Sequence, residues 1–216
     1  MSIKHSPRIV TAGLVAHYDA ANTKSYPGSG TAWKDLSGKG HNGTIYSSPP
    51  FSNDNAGKFN FDNGDYVDCG NIMSQTAYTK SVWFRPESVT RNIISGPGNS
   101  HVFWMVNSNN TLAAGHQGQW SRVSHTVPSG NMLNQWWNGV VTWNNSTGWV
   151  LYLNGVQVDT NSNTTGPGGT TSVYIARYGG GNYFDGDIAQ AIIYDRVLTT
   201  TEVQQNYNAQ KGRFGL

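Results

Sequence analysis

Short stretches in which apolar and polar residues alternate run along most of the chain, and they predict an all-β protein. Leu14–Tyr18 and Tyr78–Arg85 are two of these stretches. In the second, Val82 and Phe84 fall on one face of the predicted strand and Trp83 on the other, because successive side chains of a strand point to opposite faces. About a dozen such strands, joined by turns rich in glycine and asparagine, predict a two-sheet antiparallel jelly-roll sandwich.

Two local signals near the carboxyl terminus predict a hairpin and a helix. Asn154-Gly155 joins two alternating stretches, and this dipeptide is the strongest short-range hairpin signal. Thr199 and Glu202 have the spacing of a capping box and predict one short C-terminal helix. Few folds place strands, a hairpin, a further strand and a single late helix in this order. The order points to a carbohydrate-binding type of sandwich rather than to a catalytic scaffold.

Length, charge and cysteine usage narrow the class of protein. The 216 residues contain no linker-like or highly charged run, so we expect a single domain over residues 13–216, preceded by an N-terminal arm over residues 1–12. The net charge of +2 is too small to favour nucleic acid as a partner, and no run approaches the roughly 20 apolar residues that insertion into a membrane needs. Cys69 is the only cysteine, and the amino terminus lacks the apolar core of a signal peptide, which favours synthesis in a reducing cytosol.

Five motifs, taken in chain order, carry a resemblance to a known family. They are the opening strand Gly13–Asp19, the loop Asp35–Gly43, the segment Phe61–Val67, the strand and turn Leu151–Gly155 and the closing strand Gly186–Leu198. The strand Trp137–Thr142 is a further motif of the same resemblance. Together they resemble the laminin-G-like (concanavalin A-like) jelly-roll family, over residues 13 to about 208. Tyr26–Thr31 and Lys211–Leu216 resemble versions that are common in structural proteins of tailed phages.

The resemblance also implies a structural calcium ion, with one departure. Many members of the family carry Asp-Glu after the glycine-x-isoleucine of the closing strand, where the aspartate helps to hold the ion. The corresponding residues here are Ala189 and Gln190. Because Ca²⁺ needs several oxygen ligands, usually including carboxylates, a site in this chain would have to be rebuilt from Asp19, Asp35 and Asp187.

The same sandwich hosts glycoside hydrolases, so the fold by itself leaves catalysis open. Cleavage of a glycosidic bond by the common route takes two carboxylates at a defined separation. The only two glutamates are Glu87, which follows a strand-ending proline, and Glu202, which lies in the predicted helix cap. Asp185 and Asp187 share strand parity but are more typical of a turn and a rim. We therefore predict that the protein is not an enzyme, with a glycoside hydrolase as the third and least favoured hypothesis.

Trp120 is the candidate binding residue. It lies in a polar stretch with no apolar partner face, and an exposed indole usually has a partner. The candidate ligand-binding site consists of Trp120 with its neighbours His116, Gln119 and Arg122. The tryptophans that lie on or beside strands are expected in the core. The three histidines of this region are expected to form hydrogen bonds at the surface; they are His101, His116 and His125.

Two function hypotheses remain. The first is a non-enzymatic virion protein, such as a capsid or tail decoration or fibre component, which forms homo-oligomers, contacts other virion subunits and recognises surface glycans. The second is a stand-alone lectin-like module that binds carbohydrate. A virion protein is made in the host cytoplasm and becomes extracellular on release, which reconciles a sugar-binding pattern with the missing signal peptide.

Overall fold

The computed structural model describes residues 7–53, 57–62, 64–88, 92–98, 100–106, 110–128, 130–169 and 171–216. Sixteen β-strands, one α-helix and a short 3₁₀ turn lie in this part of the chain. The strands outnumber the predicted dozen because three of them have two residues each, and because the polar stretch around Trp120 is itself a strand. The all-β class is confirmed.

The larger layer is an antiparallel sheet of eight strands. Its strands are β1 (Leu14–Asp19), β4 (Phe51–Ser52), β5 (Lys58–Phe61), β7 (Ala77–Pro86), β12 (Trp137–Asn144), β13 (Gly148–Leu153), β14 (Val156–Asn161) and β16 (Gly186–Tyr194). They follow the order β14-β13-β12-β7-β16-β5-β4, and β1 also pairs with β16. The predicted hairpin is confirmed, since Asn154 and Gly155 join β13 to β14 with φ angles of 50° and 77°.

The facing layer consists of two smaller antiparallel sheets. One contains β2 (Ala32–Trp33), β3 (Gly43–Tyr46), β6 (Tyr66–Asn71), β15 (Ser172–Ile175) and β8 (Ile94–Ser95), and the other contains β9 (His101–Met105), β10 (Thr111–His116) and β11 (Gln119–Thr126). A single bridge between Asn92 and Trp104 links the segment before β8 to β9. The predicted two-layer sandwich is therefore confirmed, with its second layer divided into two sheets.

The main hydrophobic core lies between the layers. Val82 and Phe84 of β7 are buried in this core, whereas Trp83 belongs to a separate cluster on the outer face of the large sheet. This is the face assignment that the alternation predicts. Burying a side chain as large as Phe84 stabilises the fold by about 2 to 3 kcal/mol, so each inward position holds the two layers together.

The C-terminal helix α1 (Thr200–Gln210) covers the outer face of the large sheet. Thr199 and Glu202 form the predicted capping box. The Trp83 ring stacks on Phe214 of the following 3₁₀ turn, with ring centroids 4.0 Å apart. The described part of the predicted N-terminal arm lies against the same helix, because the Val10 amide donates to Asn206 Oδ1 at 2.8 Å. Among the described residues, no helix has the length and hydrophobicity needed to span a bilayer.

Candidate functional site

Four tyrosines gather on the outer face of the five-stranded sheet. Tyr46 of β3 and Tyr66 of β6 are direct cross-strand partners, and their rings stack with centroids 4.5 Å apart and planes 3° from parallel. Tyr174 of β15 meets Tyr66 edge-on, with a centroid distance of 6.0 Å. Tyr183, in the loop before β16, lies 6.4 Å from Tyr66. We call these four residues, together with Arg177, the tyrosine patch.

Strand alternation explains why these rings point outward. Ile45, Val67 and Ile175 precede or follow the strand tyrosines and are buried in the core. Because successive side chains of a strand point to opposite faces, the neighbouring tyrosines lie on the outside of the sheet. The cross-strand register then brings the rings together, so the patch follows from pairing of strands that are far apart in the sequence.

Arg177 lies over the tyrosine rings. Its Cζ is 4.3 Å from the Tyr66 centroid and 5.1 Å from that of Tyr174. Ala176 directs it there, since a left-handed φ of 66° turns the chain sharply after β15 while the Ala176 amide donates to the Ile93 carbonyl at 2.8 Å. A guanidinium over an aromatic face is attracted by the electrons of the ring, so its position is held without an ion pair.

One end of the patch is open to solvent. Tyr46 is 42% exposed, and the part of the chain that the structure describes exposes only two other large apolar side chains, Val156 and Leu216. Ser47 and Ser48 directly after Tyr46 both have left-handed φ angles, 65° and 61°. This backbone costs about 1 to 2 kcal/mol per non-glycine residue. Such strain is concentrated at functional sites, where surrounding contacts enforce it.

Hydroxyl and carboxyl groups complete the chemistry of this face. Burial raises the pKa of Tyr66, so its hydroxyl stays protonated and remains a hydrogen-bond donor. Asp68 lies opposite both Thr44 and Tyr174 in the register, and its Oδ1 accepts the Gly70 amide at 2.8 Å. The face therefore offers flat apolar surfaces beside donors, an acceptor and a cation, an arrangement that can bind a ligand with both an apolar face and hydroxyl groups.

The four residues of the predicted site around Trp120 lie on the hairpin of β10 and β11, where Gln119 is the register partner of His116, but the His116 residue is buried. Trp120 lies on β11 and is half-buried, with its ring 5.5 Å from that of Tyr178. Gln119 is exposed and Arg122 is half-buried on the same strand. The predicted polar stretch ends at Arg122, and Val123, the next residue of β11, is buried in the main core.

His116 was expected at the surface, and that prediction is wrong. His116 is only 1% exposed. Nδ1 lies 3.0 Å from the Thr165 carbonyl and must donate to it, so Nε2 accepts the hydroxyl of Tyr78 at 2.7 Å. Burial lowers the pKa of His116 to about 3. The side chain is therefore a neutral part of the core rather than a ligand-binding group.

His101 is also buried, contrary to the same prediction. Its Nε2 donates to the Ser172 carbonyl at 3.0 Å, and its Nδ1 accepts from Lys80 Nζ at 2.8 Å. Burial lowers the pKa of Lys80 and that of His101, in each case well below the usual value. His125, the third of these histidines, is half-buried.

The three aspartates expected to hold calcium have protein partners of their own. Asp19 pairs with Arg213 at 2.8 Å, and Asp187 accepts from Lys58 Nζ at 3.0 Å and from the Arg85 guanidinium at 2.6 Å. No group of three or more His, Cys, Asp or Glu residues that could hold a metal occurs in the described ranges. Asp19 and Asp187 are thus each paired with cationic side chains of the protein.

Asp35 has a different role, which is to hold the loop after β2. Its carboxylate accepts the amides of His17 at 2.9 Å and Ser37 at 2.8 Å, and the Ser37 hydroxyl at 2.6 Å. Burial acts to raise the pKa of Asp35, but these hydrogen bonds outweigh it and hold the pKa below the ordinary value. The glycine-rich loop of the resemblance is therefore organised by this side chain.

The carboxylates that were considered for hydrolysis also have hydrogen-bond or ion-pair partners within the protein. Asp185 accepts the hydroxyl of Ser88. Glu87 pairs with Arg85 at 2.8 Å. The hydrogen bonds from Arg196 lower the pKa of Glu202 to about 2.

Comparison with known proteins places this fold in a family. The sequence profile of the concanavalin A-like lectin/glucanases superfamily, in its laminin-G form, matches residues 61–204. The chain belongs to this superfamily. No protein of curated function matches the sequence significantly.

Solved structures that share this fold come from several kinds of proteins. Domain 4 of the arabinanase AbnA from Geobacillus stearothermophilus, solved with arabinotriose, is 20% identical with a TM-score of 0.67, covering 90% of this chain and 98% of that one. A Trypanosoma rangeli sialidase is 16% identical with a TM-score of 0.69, covering 95% and 34%. Botulinum neurotoxin type C, whose cell entry depends on two ganglioside molecules, is 14% identical with a TM-score of 0.64, covering 93% and 52%.

The chain spans about a third of that sialidase chain and about half of that neurotoxin chain. At identities of 14–20%, these similarities establish the shared fold. The ligands of those proteins are not thereby assigned to this superfamily member.

Proposed function

We propose that this protein is a non-catalytic glycan-binding domain and that its ligand lies across the tyrosine patch. The observation that carries the proposal is the exposed stack of Tyr46 on Tyr66, with ring centroids 4.5 Å apart. A sugar ring has an apolar face of C–H groups, which packs flat on an aromatic ring, and hydroxyls at its edge that need polar partners. Asp68 and Arg177 offer such partners beside the rings.

Two of the structural relatives support this proposal. Domain 4 of the arabinanase was solved with arabinotriose, and cell entry of botulinum neurotoxin type C depends on gangliosides. In both cases, a domain of this fold belongs to a protein whose structure or cell entry involves carbohydrate. The tyrosine patch gives this chain a surface suited to the same class of ligand.

The carboxylates favour binding over hydrolysis. The general acid of a glycosidase needs a raised pKa next to a second carboxylate. In the described part of the chain, Asp187 is paired with Lys58 and Arg85, and Glu202 with Arg196. Asp65 has a pKa raised to about 6 by burial, but its Oδ2 accepts the Asp62 amide within a turn. We therefore propose a module without catalytic activity.

Surface chemistry favours glycan binding over a purely structural role in a virion. Packing of subunits through broad sheet faces requires a large apolar contact surface. The large apolar side chains exposed in the described ranges are Tyr46, Val156 and Leu216, which come from separate elements. The virion location, homo-oligomers, contacts with virion subunits and bound calcium stay predictions from the sequence.

The proposal predicts that Tyr46→Ala weakens glycan binding while the fold survives. A glycan array with the purified protein identifies a ligand, and calorimetry with that ligand compares the variants. We expect Tyr46→Ala to weaken binding about 5- to 150-fold, because one stacking face is worth about 1 to 3 kcal/mol. Its free energy of unfolding should fall by about 1 kcal/mol or less, the worth of one cross-strand aromatic pair, so the fold should survive.

Val156→Ala is the matched control, because Val156 is also an exposed apolar residue but lies on β14 of the other layer. It should bind like the wild type. The same array run with calcium and with a chelator tests the calcium prediction. No binding to any glycan, or equal binding by Tyr46→Ala, would contradict the proposed site.

A further inference from the structure

We infer that the glycan bound by the tyrosine patch carries an anionic group, a carboxylate or a sulfate, and that Arg177 binds it. This inference rests on the proposed function and adds the ligand class. It starts from the charge of Arg177, which no acidic side chain of the protein neutralises in the described ranges.

Three other arginines of the chain have guanidinium groups that are paired with carboxylates. Arg85 pairs with Asp187 at 2.6 Å, Arg196 with Glu202 at 2.7 Å and Arg213 with Asp19 at 2.8 Å. Arg177 has no such contact, and its Nε is buried without a hydrogen-bond partner. A buried donor without a partner costs about 1 to 3 kcal/mol. This cost is expected where a group serves a ligand instead of the fold.

Arg177 is also held in place before any ligand arrives. Its Cζ lies 4.3 Å from the Tyr66 ring centroid and 5.1 Å from that of Tyr174, and the turn at Ala176 fixes the backbone. A guanidinium presents five N–H donors in a planar fork, which matches the two oxygens of a carboxylate or sulfate. Because the fork is already ordered on the rings, binding an anion costs little side-chain entropy.

Asp68 supplies a negative charge on the same face of the sheet as Arg177. It lies opposite Tyr174 in the register, and its negative charge also acts on Tyr66. No ion pair within 4.0 Å joins Asp68 to Arg177 in the described part of the chain. An acidic sugar must therefore approach with its anion toward Arg177 and its hydroxyls toward Asp68. The two residues form an opposed pair of charges whose removal should shift affinity in opposite directions.

Lactose, 3′-sialyllactose and 3′-sulfolactose make a matched set of probes, since they share one neutral core and differ in the anion. Calorimetry measures each of them with the wild type, Arg177→Met, Arg177→Lys and Asp68→Asn. The wild type should bind one or both acidic probes about 10- to 100-fold more tightly than lactose, the range of a charge-assisted hydrogen bond. A preference for only one acidic probe identifies carboxylate or sulfate as the source.

Arg177→Met keeps the aliphatic part over the rings but removes the fork, so it should weaken binding of the acidic probes at least about 10-fold more than binding of lactose and thereby remove the preference. Arg177→Lys should retain part of the preference, since it keeps the charge without the fork, and raising the salt concentration should weaken it. Asp68→Asn should tighten binding of the acidic probe several-fold. If Arg177→Met does not fold, the lysine variant and the salt dependence carry the test.

The outcomes separate this inference from the proposed function. Equal binding of neutral and acidic probes by the wild type, with binding lost in Tyr46→Ala, would overturn the inference and leave the glycan-binding function standing. An acidic preference that survives Arg177→Met would also overturn it. If neither the probes nor the glycan array give binding, the proposed function fails, and the inference fails with it.

Discussion

Several ionisable side chains are buried without an opposite charge, and they decide how single residues affect stability. Lys80 points into the core, where its Nζ donates to the Ile94 carbonyl at 3.2 Å and to His101 Nδ1 at 2.8 Å. Asp65 lies in the turn before β6 and is 4% exposed. Burying a charge is costly without a partner of opposite sign. The pKa values of both residues are shifted toward the neutral form.

Asp65→Asn should stabilise the protein at neutral pH. Burial raises the pKa of Asp65 from 3.8 to about 6, so its ionised form costs stability above that range. The variant should gain up to about 3 kcal/mol at pH 7.5, since the shift is about two pKa units and each unit corresponds to about 1.4 kcal/mol. The gain should shrink as the pH falls from 6 to below 4, where the carboxyl is neutral in both states.

Urea unfolding of Asp65→Asn and the wild type across this range measures the effect. Asp195→Asn is the control, because Asp195 is an exposed aspartate outside this turn. A gain that does not depend on pH would show that burial of the Asp65 charge is not its origin.

The C-terminal helix shows how one short element is held by polar contacts at its start. Thr199 accepts the Glu202 amide at 3.3 Å, and the Glu202 carboxylate accepts the Thr199 amide at 2.9 Å. The Arg196 guanidinium donates two hydrogen bonds to the same carboxylate, at 2.9 and 2.7 Å. These contacts hold the helix against the outer face of the large sheet, where Val203 is buried beside Tyr152.

Thr199→Ala should destabilise the protein by about 1 kcal/mol, the usual cost of losing an N-cap side chain. Thr201→Ala is the control, because Thr201 is exposed in the first turn of the same helix and has no role in the cap. Chemical unfolding measures both. Equal effects of the two variants would contradict the role of the capping box.

At the level of elements, prediction worked where the signal is local. The Asn154-Gly155 turn, the capping box and the facing of Val82, Trp83 and Phe84 are confirmed because each depends on residues within one short segment. β11 was missed because only Val123 marks its buried face, and its other positions are polar. One buried residue in eight carries too weak an alternation to predict a strand.

Across the whole molecule, the interior contains a polar network as well as apolar packing. His116 lies between Tyr78, Trp143 and Trp149 and bridges the two layers through its hydrogen bonds. Arg122 adds positive charge nearby, which opposes protonation further. Folding thus requires His116 to be neutral, while the unfolded chain is free to bind a proton.

Acid should therefore weaken the fold through His116. Burial lowers its pKa from 6.5 to about 3, so its contribution is complete above pH 6.5 and is lost as the pH falls toward 3. For each unit by which the pH falls below 6.5, the free energy of unfolding should decrease by about 1.4 kcal/mol. His116→Gln lacks this titration, so the stability advantage of the wild type should narrow as the pH drops from 7 to 4.

Urea unfolding at several pH values compares the two proteins. Asp65 titrates in the same range with the opposite sign, and it is present in both, so the difference between them isolates His116. A difference that stays constant from pH 7 to 4 would contradict neutral burial of the imidazole.

The sequence by itself determined the all-β class, the hairpin, the helix start and the superfamily, because alternation, turn dipeptides, caps and motif order are written in neighbouring residues. Only the tertiary structure decided which side chains share a face. Tyr46, Tyr66, Tyr174 and Arg177 come from distant segments, and strand register joins them into one patch. The burial of His116 depends equally on the layer opposite it. Pairing across more than 100 residues leaves no local pattern, so the candidate site became visible only in the folded chain.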